Sequence, residues 1–141
     1  MKLPLLTIIS AAMLLILGSM APNASKKLRF DGMYMTELKI EDGDSTRSYL
    51  RFFSPDVVCS VHSGPYPEEI RNWFVPDSMV KAYKATYKIV KKQLTFNIGL
   101  PGKDVEYSGS INGNNLLLHW KSNINGKEGD RKYKFYRFKK K

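Results

Sequence analysis

Cysteine and histidine are nearly missing from this chain: one of the first and two of the second in 141 residues. The lone Cys59 leaves no partner for an internal disulfide, so the folded part must hold together by burial. His62 and His119 have no ligand cluster around them in sequence, which removes the usual signature of a zinc site, and no cofactor is expected. The glycines at 99, 102, 109 and 113 lack the spacing of a phosphate-binding loop. Long stretches of helical period are nearly absent, which excludes a helical bundle. Acids are missing from the last segment, RKYKFYRFKKK (131–141).

The other end is short of charge. Met1 and Lys2 precede an apolar run, Leu3 to Leu17, and the small residues GSMAPNAS (18–25), the layout of a secretory signal peptide. Pro4, Thr7 and Ser10 leave that run short of the ~20 apolar residues needed to span a bilayer core, so cleavage rather than anchoring is expected. Ser19 occupies the place where a lipoprotein leader needs cysteine, so no lipid anchor is expected. The expected organisation is a signal peptide over 1–24 and one domain over 25–141, secreted to an extracellular or periplasmic space. A domain of about 117 residues buries roughly two thirds of its unfolded surface, enough for one core.

What the chain does have is alternation. Period-two apolar positions run through Tyr34–Ile40, Leu50–Phe52, Val57–Val61, Tyr83–Ile89, Leu94–Ile98, Val105–Ile111, Leu116–Trp120 and Tyr133–Phe135, which predicts eight strands. One stretch departs from this. PEEIRNWF (67–74) has proline at a first helical position, Glu68 and Glu69 at the positive end of the helix dipole, and Ile70, Trp73 and Phe74 on one face. A short helix is predicted there. Ser54–Asp56, Val90–Lys92 and Asn112–Asn114 read as tight turns, whereas 41–47, 62–80, 99–103 and 121–130 read as longer loops.

Strict alternation of short and long connections describes an antiparallel up-and-down meander with every long loop, and the helix, at one end. A flat sheet of that width leaves two edges and an apolar face uncovered. Closure into an eight-stranded barrel, with the helix of about 67–74 at its open end, is the expected all-β fold; a seven- or eight-strand sandwich is the alternative. Gly32-Met33-Tyr34 at the first strand, Arg137 at the end of the last and the meander between them resemble the lipocalin superfamily, nearest its small secreted lipocalin-like members. In that family a tryptophan of the first motif packs on the arginine at the closed end. The resemblance implies that Tyr34 takes that place here against Arg137.

The formal net charge of +10 is unevenly spread. Residues 30–130 hold all thirteen acids against twelve Lys and Arg, so the excess sits at the two ends. The meander brings those ends together at the closed base. Tyr133 and Phe135, alternating with Lys132 and Lys134, read as a half-buried closing strand, with a bulge near Tyr136 returning Phe138 to the core. Nucleic-acid stacking would need those rings exposed, so no specific nucleic acid is expected.

Cys59 and His62 fall on opposite faces of one strand by their odd spacing, and Cys59 reads as a small buried residue. Glu41-Asp42-Gly43-Asp44 reads as a solvated turn, and the carboxylates of the long loops should make the mouth acidic. No catalytic or metal constellation emerges, so the expected function is non-enzymatic. The first reading is a binding protein taking a small apolar or amphipathic ligand at the mouth, with Tyr66, Ile70, Trp73 and Phe74 above it and Tyr87, Phe96, Tyr107 and Trp120 below. The opposing reading is that these aromatics simply fill a narrow barrel. The alternative function is an interaction module in which Lys26, Lys27, Arg29, Lys139, Lys140 and Lys141 dock on a polyanion such as an anionic membrane or glycan.

Overall fold

The computed structural model describes residues 27–80 and 83–141. The expected leader over 1–24, and Lys26 with it, lie outside the described residues. More than half of the described residues are strand: β1 (Gly32–Met35), β2 (Lys39–Glu41), β3 (Asp44–Phe53), β4 (Val57–Ser63), β5 (Lys84–Thr86), β6 (Lys88–Val90), β7 (Gln93–Leu100), β8 (Lys103–Asn112), β9 (Asn115–Ser122) and β10 (Glu128–Arg137). They form one ten-stranded sheet in the order β5-β4-β3-β1-β10-β9-β8-β7-β6, with β2 added to β3. These are the eight expected segments with two of them cut, the first at 36–38 and the fourth at Tyr87. The first and last strands pair from Gly32↔Arg137 to Met35↔Lys134. A side chain at Gly32 would collide with the backbone carbonyl of Tyr136 across that pairing, which is why the position is glycine.

The expected closed barrel is corrected to an open hydrogen-bonded path. β5 pairs only with β4 and β6 only with β7, because Tyr87 between them leaves the ladder: its N–H donates to Asp56 O at 2.8 Å and its hydroxyl to Pro55 O at 3.0 Å. The two ends of the path are nevertheless consecutive in the chain. The sheet curls until one face meets itself. Phe52 on β3 packs edge-on against Phe96 on β7 at 6.0 Å between centroids, although four strands separate them in the sheet order. Tyr34, Leu50, Phe52, Val58, Leu94, Leu116, Leu118 and Tyr133 are at most 1 % exposed on this inner face, each large aliphatic or aromatic side chain adding about 1.5–3 kcal/mol.

The outer face of β1, β3 and β4 is apolar too, through Met33, Tyr49 and Cys59. Sheets cannot leave such a surface wet, and the helix covers it. α1 (Pro67–Ile70) continues into a single 3-10 turn, Arg71–Trp73, and sets Ile70 and the following Phe74 against Met33, Tyr49 and Cys59. The helix therefore does not stand over a mouth, as the loop pattern predicted. Phe138 also differs from expectation: it joins this outer cluster, where strand alternation takes it from Tyr136 without a bulge. Two loops expected to be long are tight. Asp42 and Gly43 turn with φ of 50° and 85°, and Pro101–Gly102 makes a two-residue turn between β7 and β8 with Gly102 at φ 77°. Tight turns thus occupy both ends of the roll. Among the described residues no helix is long and apolar enough to cross a membrane.

Candidate functional site

The eight aromatic and aliphatic residues expected to line one pocket are divided between the two faces. Tyr87, Phe96 and Tyr107 are buried in the inner core, Phe96 stacked on Tyr107 at 4.8 Å, with Trp120 half-buried above them. Ile70 and Phe74 are buried on the outer face. Tyr66 and Trp73 stand 65 % and 55 % exposed. The lower part of the roll is filled by its own side chains, as the opposing reading held.

The upper part is different. Extending the inward register past the core brings Thr36 on from Tyr34, Ser48 and Thr46 on from Leu50, His62 on from Val58, and Arg131 on from Tyr133. These residues line one depression of ≈ 510 Å³, with Leu38 and the charged Glu37, Lys39 and Glu41 at its rim. It opens because β1 leaves the sheet after Met35, so among the described residues the upper half of β10 pairs only with β9. Ser48 Oγ and His62 Nδ1 meet at 3.1 Å, and the Thr36 hydroxyl accepts from the Ser48 N–H at 3.0 Å.

Arg131 is the half-buried cation on the inward register of that pocket, whose lining also holds Arg47 and Lys132. Its guanidinium carbon lies 4.7 Å from the centre of the Trp120 ring, and Gly129 opposite Trp120 leaves the indole its space. Burial pushes the Tyr107 and Tyr133 hydroxyls up beneath it, while the Arg131 charge pulls both back down. Among the described residues no carboxylate comes within ion-pair distance of Arg131. The signal was in the sequence: Arg131 shares the parity of Tyr133 and Phe135.

The basic base also forms, with different members. Lys27, Lys139, Lys140 and Lys141 are exposed there. Arg29 instead has a structural role: its backbone N–H donates to the Tyr34 hydroxyl at 3.0 Å, and its guanidinium lies 4.1 Å over the Phe135 ring while bonding Asp31 and Asn114. The arginine expected on Tyr34 was Arg137; it bonds Asp31 at 3.1 Å and its side chain stays 69 % exposed. Two cations absent from the expected set lie beside it. Arg51 and Arg71 stack on the same ring, Phe138, at 4.7 and 4.6 Å. Glu68, expected at an acidic mouth, is at this basic end, accepting from the Tyr136 hydroxyl at 2.8 Å and the Lys139 N–H at 3.3 Å. The first of those bonds is the main force holding its carboxyl below the usual range.

Cys59 is fully buried on the outer face and His62 lies in the inward register, as their spacing predicted. Burial pushes the Cys59 thiol up to about 11, so it is neither a ready nucleophile nor a ready ligand. His119 faces outward, its ring bonded to Asp130 at 2.9 Å. Comparison with family models, with curated proteins and with solved structures finds no match.

Proposed function

We propose that the protein is a secreted, non-enzymatic, lipocalin-like binding protein whose curled sheet acts as a barrel and takes a small amphipathic ligand in its upper pocket. The observation that carries this is Arg131: an inward-pointing guanidinium with no carboxylate partner among the described residues, set over Trp120 and above the Tyr107 and Tyr133 hydroxyls. The Tyr107 and Tyr133 hydroxyls and the Trp120 ring give this half-buried charge neutral partners but no counter-charge, and an anionic ligand head supplies one. Leu38 then offers apolar surface to the rest of the ligand. Of the expected set only Tyr107 and Trp120 stay near the site, as neighbours of Arg131 and not as its lining, and the helix residues drop out. Titration with decanoate, with decanol as the uncharged control, tests it. Decanoate should bind saturably, and Arg131→Gln should weaken it at least about tenfold, the loss of one charge-assisted hydrogen bond. Equal binding of acid and alcohol, or indifference to the substitution, would falsify the reading.

A second reading rests on a separate observation. The β1–β10 register gathers Lys27 and Arg137 through Lys141 at one end, so the base presents a positive surface suited to a polyanion. Binding to anionic vesicles should fall steeply with added salt and with Lys139, Lys140 and Lys141 changed to Gln. Salt-independent binding would count against it.

A further inference from the structure

The base carries a second feature that no neutral solubility role explains. Arg51 on β3 and Arg71 in the 3-10 turn both lie over the Phe138 ring, at 4.7 and 4.6 Å from its centre to each guanidinium carbon. Two like charges on one ring sit within about one Debye length of each other at 0.1 M salt, so they repel. Burial and then the charge of Arg71 lower the proton affinity of Arg51. The acids nearby relieve this only in part. Asp31 is taken by Arg29 and Arg137, and Glu68 accepts from Tyr136 and Lys139 through Oε1 while its Oε2 pairs with Arg71 at 4.0 Å, the outer limit of an ion pair. Among the described residues Arg51 has no carboxylate partner, and its buried Nε has no hydrogen-bond partner.

The two cations are also held in place. Phe138 is 9 % exposed and fixed in the outer cluster, and its N–H donates to Asp31 O at 3.2 Å. Arg71 donates to the Lys139 carbonyl at 3.0 Å. Arg51 lies opposite Cys59 in the β3–β4 ladder and reaches the Phe53 ring as well. Arg51, Arg71, Arg137, Lys139 and Lys140 line a depression of ≈ 520 Å³ whose one acid is Asp31. Preset guanidinium forks of this kind match the oxygens of a phosphoryl group, and a dianion satisfies two of them where a carboxylate satisfies one.

We infer that the Arg51–Phe138–Arg71 cluster, with Arg137 beside it, is a binding site for a phosphate monoester. This rests on the second reading above, for it names the group on a polyanion that the base engages. The test titrates the mature chain with glycerol phosphate at constant ionic strength, following the Arg51 and Arg71 Nε–H resonances and the Phe138 ring, with the monoanionic diester dimethyl phosphate as control. Saturable shifts at those three residues are expected with the monoester and at least tenfold weaker binding with the diester. Arg71→Lys, which keeps the charge but loses the fork, should weaken the monoester at least tenfold; Arg51→Lys should do the same. Lowering the pH from 7.5 to 5 should also weaken it, as the ester regains a proton near pH about 6. Asp31 and Glu68, held low by their hydrogen bonds to Arg29 and Tyr136, stay ionised over that range.

Lys27 and Lys141, exposed and outside that depression, changed together to Gln should leave glycerol phosphate affinity within about threefold while vesicle binding falls, since they add field rather than the fork. No saturation, parity between monoester and diester, or indifference to both arginine substitutions overturns the inference. If vesicles bind and glycerol phosphate does not, the cluster fails and the polyanion reading stands. The reverse result keeps the cluster, as a site for a free phosphate monoester, and removes the polyanion surface.

Discussion

The two faces of the sheet are built from the same strands and solve different problems. On β3, Leu50 and Phe52 point inward and Tyr49, Arg51 and Phe53 outward, so neighbours in the chain belong to separate clusters. The inner cluster draws on every long strand and packs the curled sheet's inner face against itself without closing the hydrogen-bonded path. The outer one draws on four strands, β1, β3, β4 and the end of β10, and is finished by a helix of one turn and by Phe138. The difference teaches that residue parity, more than residue type, assigns a role: Arg131 on the inward parity becomes a pocket charge, whereas Arg51 on the outward parity becomes part of a surface cluster.

Truncating one residue on each face should break the comparison most sharply. Phe52 touches Tyr34, Tyr87 and Phe96, so Phe52→Ala should cost roughly 3–5 kcal/mol and threaten the whole fold, read as a urea midpoint. Phe74→Ala should cost about 3 kcal/mol at most, by releasing the helix, with the sheet's amide protons still protected in hydrogen exchange. If the two substitutions unfold the chain alike, the faces form one cooperative core and the distinction is lost. Trp73→Ala, on an exposed ring beside Phe74, should stay within about 0.5 kcal/mol.

Alkaline pH sharpens the comparison further, because each face holds a group whose ionisation burial opposes. Cys59 outside is pushed up to about 11, and Tyr133 inside is raised well above its ordinary value. A raised acid keeps its proton in the folded state after the unfolded chain has lost it. Stability is therefore full below about pH 9 and declines as pH rises toward 11, by on the order of 2 kcal/mol for the thiol. Comparing urea midpoints at pH 8 and 10.5 checks this. Cys59→Ala should remove the thiol's part of the decline and leave the tyrosines' part, and an unchanged decline would show that the outer face contributes nothing to it.

Much of the fold was legible because alternation reports which residues share a face. All eight segments appear where the apolar positions placed them, and the convergence of the termini followed from counting strands. The cut at Tyr87 was not legible, since its cause is a hydrogen bond to Asp56, distant in sequence and set by the β3–β4 turn. The helix was read correctly from Pro67, Glu68 and Ile70, but those residues do not say what they pack on. That signal lay elsewhere, in Tyr49 to Phe53 and in Val57-Val58-Cys59, where both parities are apolar and so both faces need covering. For the candidate sites, Trp120 and Tyr107 were legible as inward aromatics. Arg51 and Arg71 were not, because their meeting on Phe138 joins three segments that only the folded chain brings together.

The departure of β1 from the sheet after Met35 has a consequence for solubility. It leaves a row of backbone donors and acceptors along the upper flank of β10 that any extended peptide, including a second copy of this chain, is chemically able to zip onto. Lys132, exposed, lies within that flank, and an identical flank brought alongside would set cation against cation. Lys132 thus acts as a guard against self-pairing, one that weakens as salt screens it.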